Sequence, residues 1–541
     1  MARSRIVRSR QLEHYPTPTA RARHLGVVVV VTISVYYALY LKGSVAPQII
    51  DEYDMSLGFY VSISILGSLL GSGAALAAAL ADRIGRTGLM IYGSLFVALM
   101  TLLVTPNMPT KQLFLAADVT VSATTGVVLV ASTALIRDFA PQLTRAVAMT
   151  TWNLGPILGS LLVSSVASRT LDAHPDWRFQ YTVCGIVGLS TALLGLLALR
   201  ELSPGLRAQV LHSADDAAAA EARAAGTTGL PERGAWRVLM TPRIILPTIG
   251  IGLFLVFYFT RLGFWVIFFV TTHGFTGAQA NGLSNWWWAT SAVTLVAMGA
   301  LADGLGIRKP LMLVGAIGSI IALSVFGNLA AASDTSYRTF VLAIIPAAFF
   351  GVTTSGMWIT AFSEAVEEIA PQLVATGMAL YGWIVRLVAA GTFLAVLLAV
   401  PAASILADHG ARVAGVSQQY ATPLAQLQRA GGTVEKLTAA LAATGADRLR
   451  GSERAQAQRD LEAAQRAQGY AAQQIPTDDL AYLTAHGADV AQAAADTSDQ
   501  WESWWRVCLV MQLLFLPTIW LLPGHWFRRR APAPIAEPAP A

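Results

Sequence analysis

The sequence predicts an all-α membrane protein of twelve transmembrane helices, arranged as two pseudo-symmetric six-helix halves. Three observations predict it: a composition too apolar for a water-soluble core, a loop phrase that occurs twice, and basic residues gathered in alternate loops. Of the 541 residues, 55% are hydrophobic and only 13% charged, and the mean hydropathy is positive. The phrase is Ala81-Asp82-Arg83-Ile84-Gly85-Arg86, repeated as Ala302-Asp303-Gly304-Leu305-Gly306-Ile307-Arg308-Lys309, each copy wedged between long apolar runs.

A span needs about 20 apolar residues. Twelve stretches qualify, near 25–42, 57–80, 88–106, 112–136, 145–167, 179–199, 244–271, 281–302, 309–330, 338–361, 375–404 and 504–524. They read as helices, because lipid offers no partner to a free backbone amide and the runs lack the alternation of barrel strands. The first run is long, has no small-residue cleavage site and leads into another span, so it reads as a retained helix rather than a signal peptide.

Counting loops from an inside N-terminus, the inner segments hold Arg3, Arg5, Arg8, Arg10, Arg83, Arg86, Arg137, Arg145, Arg308, Lys309 and Arg528 to Arg530, with many more arginines between the halves. The short outer loops hold only Lys42, Lys111, Arg169, Arg178 and Arg338. Both termini are therefore expected in the cytoplasm. The net charge of +5 is this bias, and no nucleic-acid patch lies behind it. Arginine- and alanine-rich usage points to a bacterial source and its cytoplasmic membrane.

The halves keep step at further landmarks. Ala140-Pro141-Gln142-Leu143 recurs as Ala370-Pro371-Gln372-Leu373, and Trp177-Arg178 as Trp505-Arg506. They lose step only before Trp505, which places an insertion in the second half. The expected organisation is a basic arm (1–24), a first bundle (25–200), a cytoplasmic linker (201–243), a second bundle (244–404), an extracytoplasmic helical insertion between the eleventh and twelfth spans (405–500), the twelfth span (501–524) and a cytoplasmic tail (525–541). The insertion reads as a few amphipathic helices: a spacer, a cap over the outer vestibule, or a docking site for an envelope protein partner.

At the repeated phrase the chain resembles the major facilitator superfamily, whose signature between its second and third helices is G-x-x-x-D-R/K-x-G-R-R/K. The first copy supplies Asp82, Arg83, Gly85 and Arg86, with Ala78 for the leading Gly and Thr87 for the last basic residue; the second keeps Gly299, Asp303, Arg308 and Lys309. The resemblance implies that fold, and that Asp82, Arg83 and Arg86, with Asp303 and Arg308 as counterparts, latch one access state. Without it they fix topology and a tight turn. Gly155-Pro156-Ile157-Leu158-Gly159 looks like the G-P-x-x-G-G motif of the family's proton-driven exporters, and close helix packing explains it equally.

Where the family's fourth helix begins its motif with Arg, this chain has Asp118, about 9 Å inside its span at 1.5 Å per residue. Charged residues within spans are costly and usually face a cavity. Asp118 is thus a candidate proton carrier or a snorkelling structural acid. Arg261 and Arg386 lie deeper in the seventh and eleventh spans, and a buried guanidinium needs an anion: a carboxylate such as Asp118, or an anionic substrate. Tyr36, Tyr37, Tyr40, Asn285, Trp288 and Trp358 are candidate pocket walls, with interfacial or packing roles as the alternative.

Cys184 and Cys508 lie within spans and suggest no disulfide, and no metal-ligand spacing, phosphate loop or nucleophile motif occurs. No cofactor is expected and no enzyme. The resemblance implies secondary active transport by alternating access of two rocking halves. The expected partners are a small-molecule substrate, anionic or amphipathic, protons and membrane lipid. The alternatives are a multidrug/proton antiporter, or a non-transporting scaffold or receptor acting through the insertion.

Overall fold

The computed structural model describes residues 11–72, 85–140, 142–203, 205–206, 209, 240–332, 335–369, 374–443 and 451–522. The chain divides into two compact units, residues 1–400 with 498–541, and residues 401–497.

The first unit is helical. Its elements are α1 (Pro18–Ser44), α2 (Ala46–Glu52), α3 (Leu57–Ser72), α4 (Arg86–Leu99), α5 (Lys111–Phe139), α6 (Gln142–Thr170), α7 (Trp177–Ala198), α8 (Pro242–Phe254), α9 (Val256–His273), α10 (Gly277–Leu305), α11 (Lys309–Ala331), α12 (Tyr337–Ile369) and α13 (Val374–Ala399). Their ends follow local chemistry. Pro18 occupies the first turn of α1, where its missing N–H costs nothing. Thr276 and Gln279 form a reciprocal capping box on α10, and Gly306 closes it in the left-handed region that glycine adopts without strain. α8 and α9 run as one span interrupted at Leu255, a break that sets the first turn of α9 against its neighbours.

Among the described residues, nine helices are long and apolar enough to cross a membrane, or ten if the sharply bent pair α2 and α3 is one span. The sequence predicts twelve. The difference lies in α6 and α10, each of 29 residues, whose apolar runs are diluted by Ser164, Ser165 and Ser168 on one and Asn281, Ser284 and Asn285 on the other. Asn285 meets the three serines across a shared seam, and Asn281 reaches α1. α6 packs on α10, α3 packs on α13, and α1 touches α9. Two apolar cores flank these seams, one around Val28, Met90, Leu135 and Phe139, the other around Met312, Trp358, Phe362 and Phe515.

One feature has no forerunner in the sequence: Gln11–Leu12 pairs in parallel with Glu201–Leu202, tying the N-terminal arm to the segment after α7. In the second unit, α14 (Pro401–Ile405), α15 (Ala411–Gln419), α16 (Ala421–Ala443) and α17 (Gly451–Gln473) precede α18 (Thr477–Phe515), whose last part belongs to the first unit. Within it α16 packs on α17, and His409 stacks on His486 at 4.0 Å between centroids while its Nδ1 lies 2.9 Å from the Tyr482 hydroxyl.

Candidate functional site

Helical spacing decides which of the predicted aromatic residues meet. Tyr36 and Tyr40 are four apart on one face of α1, and their rings stack at 5.7 Å. Tyr37, one residue on, turns away; it is 1% exposed and faces Cys184 on α7. The Tyr40 hydroxyl lies close to that of Tyr258, in the first full turn of α9. Tyr258 in turn stands edge-on to Trp288 of α10, 6.0 Å between centroids.

Arg261 follows Tyr258 by three residues on the same face, and is 2% exposed. Four rings surround its guanidinium carbon: Trp288 at 4.2 Å, Trp287 at 4.5 Å, Trp265 at 5.5 Å and Tyr258 at 5.9 Å. Its Nε and Nη2 have no hydrogen-bond partner among the described residues, and no carboxylate there pairs with it. The aromatic faces return part of the lost hydration, about 2 kcal/mol or more for a desolvated cation. Two buried N–H donors remain unmet.

Arg386 on α13 donates from Nη1 to the Gly71 carbonyl near the end of α3, across the α3/α13 seam. Its charge also acts on Tyr36 and Tyr40. Asn285 sits in the other seam: its Oδ1 accepts from Ser164 and Ser165 at 2.8 and 3.0 Å, and its Nδ2 donates to Ser168 at 2.7 Å. One turn earlier, Asn281 donates to the Ser44 carbonyl at 2.9 Å. Trp358 is fully buried on α12 in the second apolar core, stacked on Phe362 at 4.8 Å and tilted against Tyr381 at 5.1 Å. Trp286 is 47% exposed, so the three consecutive tryptophans divide between the interior and the outer face of α10.

Asp118 has a partner that the loop count hides. Lys42, which closes the first apolar run, lies within α1, and its Nζ is 2.7 Å from Asp118 Oδ2, with both side chains only 12–13% exposed. Tyr60 holds this lysine in place, donating from its hydroxyl to the Lys42 carbonyl at 2.9 Å. Removing one partner of a buried pair leaves the other charge uncompensated, whereas removing both is often neutral. Lys42→Met is therefore expected to destabilise the protein by about 3 kcal/mol, and Lys42→Met with Asp118→Leu to recover most of that, read as unfolding midpoints in mild detergent. Equal stability of the single variant and the wild type contradicts this.

The sequence of residues 28–393 matches the Major Facilitator Superfamily. The chain belongs to that family. Members are transporters, and the chain is accordingly a multi-pass membrane protein of the transporter type. Solved structures similar to it include a bacterial homologue of the human lysosomal transporter Spinster in an inward-facing, unoccupied conformation, at 16% identity and a TM-score of 0.56 over 93% of this chain and 99% of that one. The same homologue, inward-facing and occupied, gives 14% identity and 0.57 over 93% and 97%. These likenesses concern the fold alone. The efflux pump radE of Floropilus chiversii is 28% identical over 193 residues, which span 35% of this chain and 35% of the pump.

Of the family's loop residues, Asp82 and Arg83 lie outside the described residues, as does the Asp303 side chain. Arg86 binds Asp138 at the end of α5, Nη1 to Oδ1 at 2.6 Å, while its backbone N–H donates to Glu201 at 3.0 Å. Arg308 pairs with Glu364 on α12. Gly155 and Gly159 of α6 lie against Thr32, Ile33 and Tyr36 of α1, with Pro156 between them in the same helix.

Sequence reasoning passes over Lys42, Tyr258, Trp265 and the serines of α6. Tyr258 is findable as the aromatic one turn before an embedded arginine. The serines show as a helical i, i+1, i+4 set.

Proposed function

We propose that this family member is a secondary active transporter of twelve spans in two related halves, moving a small anionic or amphipathic organic solute by proton-coupled alternating access. Its home is a bacterial cytoplasmic membrane with both termini inside. Charge balance carries the reading. Asp118 is already neutralised by Lys42, while Arg261 and Arg386, linked through Tyr36, Tyr40 and Tyr258, have no acidic partner among the described residues. A site with surplus fixed positive charge attracts an anion and repels a cation.

The twelve-span layout draws support from the seams. Under the duplication the second span corresponds to the eighth and the fifth to the eleventh, so the packed pairs α3/α13 and α6/α10 exchange with one another. Asn281 and Asn285 fasten α10 to the ends of α1 and α6 that lead into the loops expected outside, which favours an outward-closed state. Asp118 is the proton carrier in this scheme, since its protonation releases Lys42. Resemblance to an efflux pump, together with Gly155-Pro156, favours export as the direction.

The test is reconstitution in liposomes holding a pH-sensitive dye, with mixed organic acids, mixed organic cations and mixed sugars offered in separate arms. The expected result is proton movement with the acids, lost in Asp118→Asn. Proton movement with cations or sugars alone sinks the reading.

A further inference from the structure

The Arg261 cage narrows the class of solute, and the inference rests on the anion-transport reading above. Nε and Nη2 share one edge of the guanidinium plane, and their two N–H groups point the same way, at the spacing of the two oxygens of a single carboxylate. These are the two donors left without partners in a side chain that is 2% exposed. A phosphate or a dicarboxylate would call for a second basic group in direct contact, and the groups that face the guanidinium among the described residues are the rings of Tyr258, Trp265, Trp287 and Trp288.

Trp287 and Trp288 turn their faces to the guanidinium at 4.5 and 4.2 Å, and Tyr258 stands edge-on to Trp288. Indole faces that stack on a planar cation stack equally on a planar ring. We infer that Arg261 receives the carboxylate of an aromatic monocarboxylic acid, whose ring lies against Trp287 and Trp288. In the present conformation both donors are shut off from solvent, so the acid enters as the side chains around them move. The Tyr40 and Tyr258 hydroxyls stand at the same site and suit a polar substituent on the ring.

The test uses the full chain in nanodiscs, read by thermal stabilisation and by quenching of tryptophan fluorescence. The probes are benzoate, 2-naphthoate and indole-3-acetate, against 2-naphthamide, cyclohexanecarboxylate and succinate. At least one aromatic acid is expected to bind about 10-fold more tightly than cyclohexanecarboxylate, the scale of discrimination a shaped site provides, while 2-naphthamide gives no shift. Arg261→Gln erases the response, and Trp288→Leu brings the aromatic and saturated acids level. The wild-type panel decides the matter even if a variant fails to fold. Absence of binding by all three aromatic acids, or binding that survives Arg261→Gln, overturns the inference. Tighter binding of succinate or cyclohexanecarboxylate overturns the aromatic class and leaves anion transport standing.

Discussion

Arg261→Met is expected to raise the melting temperature of the unliganded protein and to abolish its response to organic acids. Burying a cation costs several kcal/mol even after relaxation, and a structure recovers this only when the partner geometry is good and every donor is met. Here the partners are four aromatic faces, which return about 2 kcal/mol or more, and two donors stay unmet. An unbranched apolar side chain of similar length keeps the contact with the indoles and removes the stranded charge. Comparable replacements of buried ionic groups are neutral or stabilising by about 1–4 kcal/mol. Under the proposed function, an anionic solute neutralises this charge when it binds. Differential scanning fluorimetry of both proteins, with and without an organic-acid mixture, checks this. A lower melting temperature in Arg261→Met means the cage is a structural cation–π cluster, and the transport assignment of Arg261 falls with it.

The same residue marks how far the sequence could be read. A guanidinium inside an apolar run stands out by itself, because lipid and protein interiors both penalise it. The cage does not stand out, since the meeting of α9 with α10 depends on the break at Leu255 and on tertiary packing that neither helix's periodicity contains. Asp118 is visible for the same reason as Arg261. Its partner Lys42 is hidden, because a lysine that closes an apolar run is indistinguishable from the first residue of a loop until the helix is seen to include it. Tyr36 and Tyr40 share a face by arithmetic, and the same arithmetic sends Tyr37 elsewhere. Membrane crossing is legible because it rests on long-range composition, which local packing does not alter. The polar seam of α6 and α10 reads weakly for a physical reason: residues that satisfy one another across an interface look, one helix at a time, like a poorer membrane span.

The second large effect concerns the helix that holds Tyr36. A Cβ added at Gly159 would lie 2.6 Å from the Tyr36 Cβ and 2.9 Å from the Ile33 carbonyl oxygen, and at Gly155 it would lie 2.9 Å from Thr32 Cγ2. At Gly159 the obstructing atoms include backbone, so no rotamer change relieves the clash and α1 and α6 must separate. Gly159→Ala is therefore expected to destabilise by about 1–3 kcal/mol, the usual cost of overpacking, and to weaken organic-acid binding by moving Tyr36 away from Arg386 and Tyr258. Gly382 of α13 is the control, because a Cβ there meets nothing within 4 Å. Gly382→Ala is expected to leave binding unchanged and to stabilise by about 0.5–1 kcal/mol through helix propensity. If Gly159→Ala unfolds at the wild-type midpoint and binds as the wild type does, then α1 is not held at this contact. The Gly155-Pro156-Ile157-Leu158-Gly159 segment would then owe its small residues to something other than a fixed seat for Tyr36.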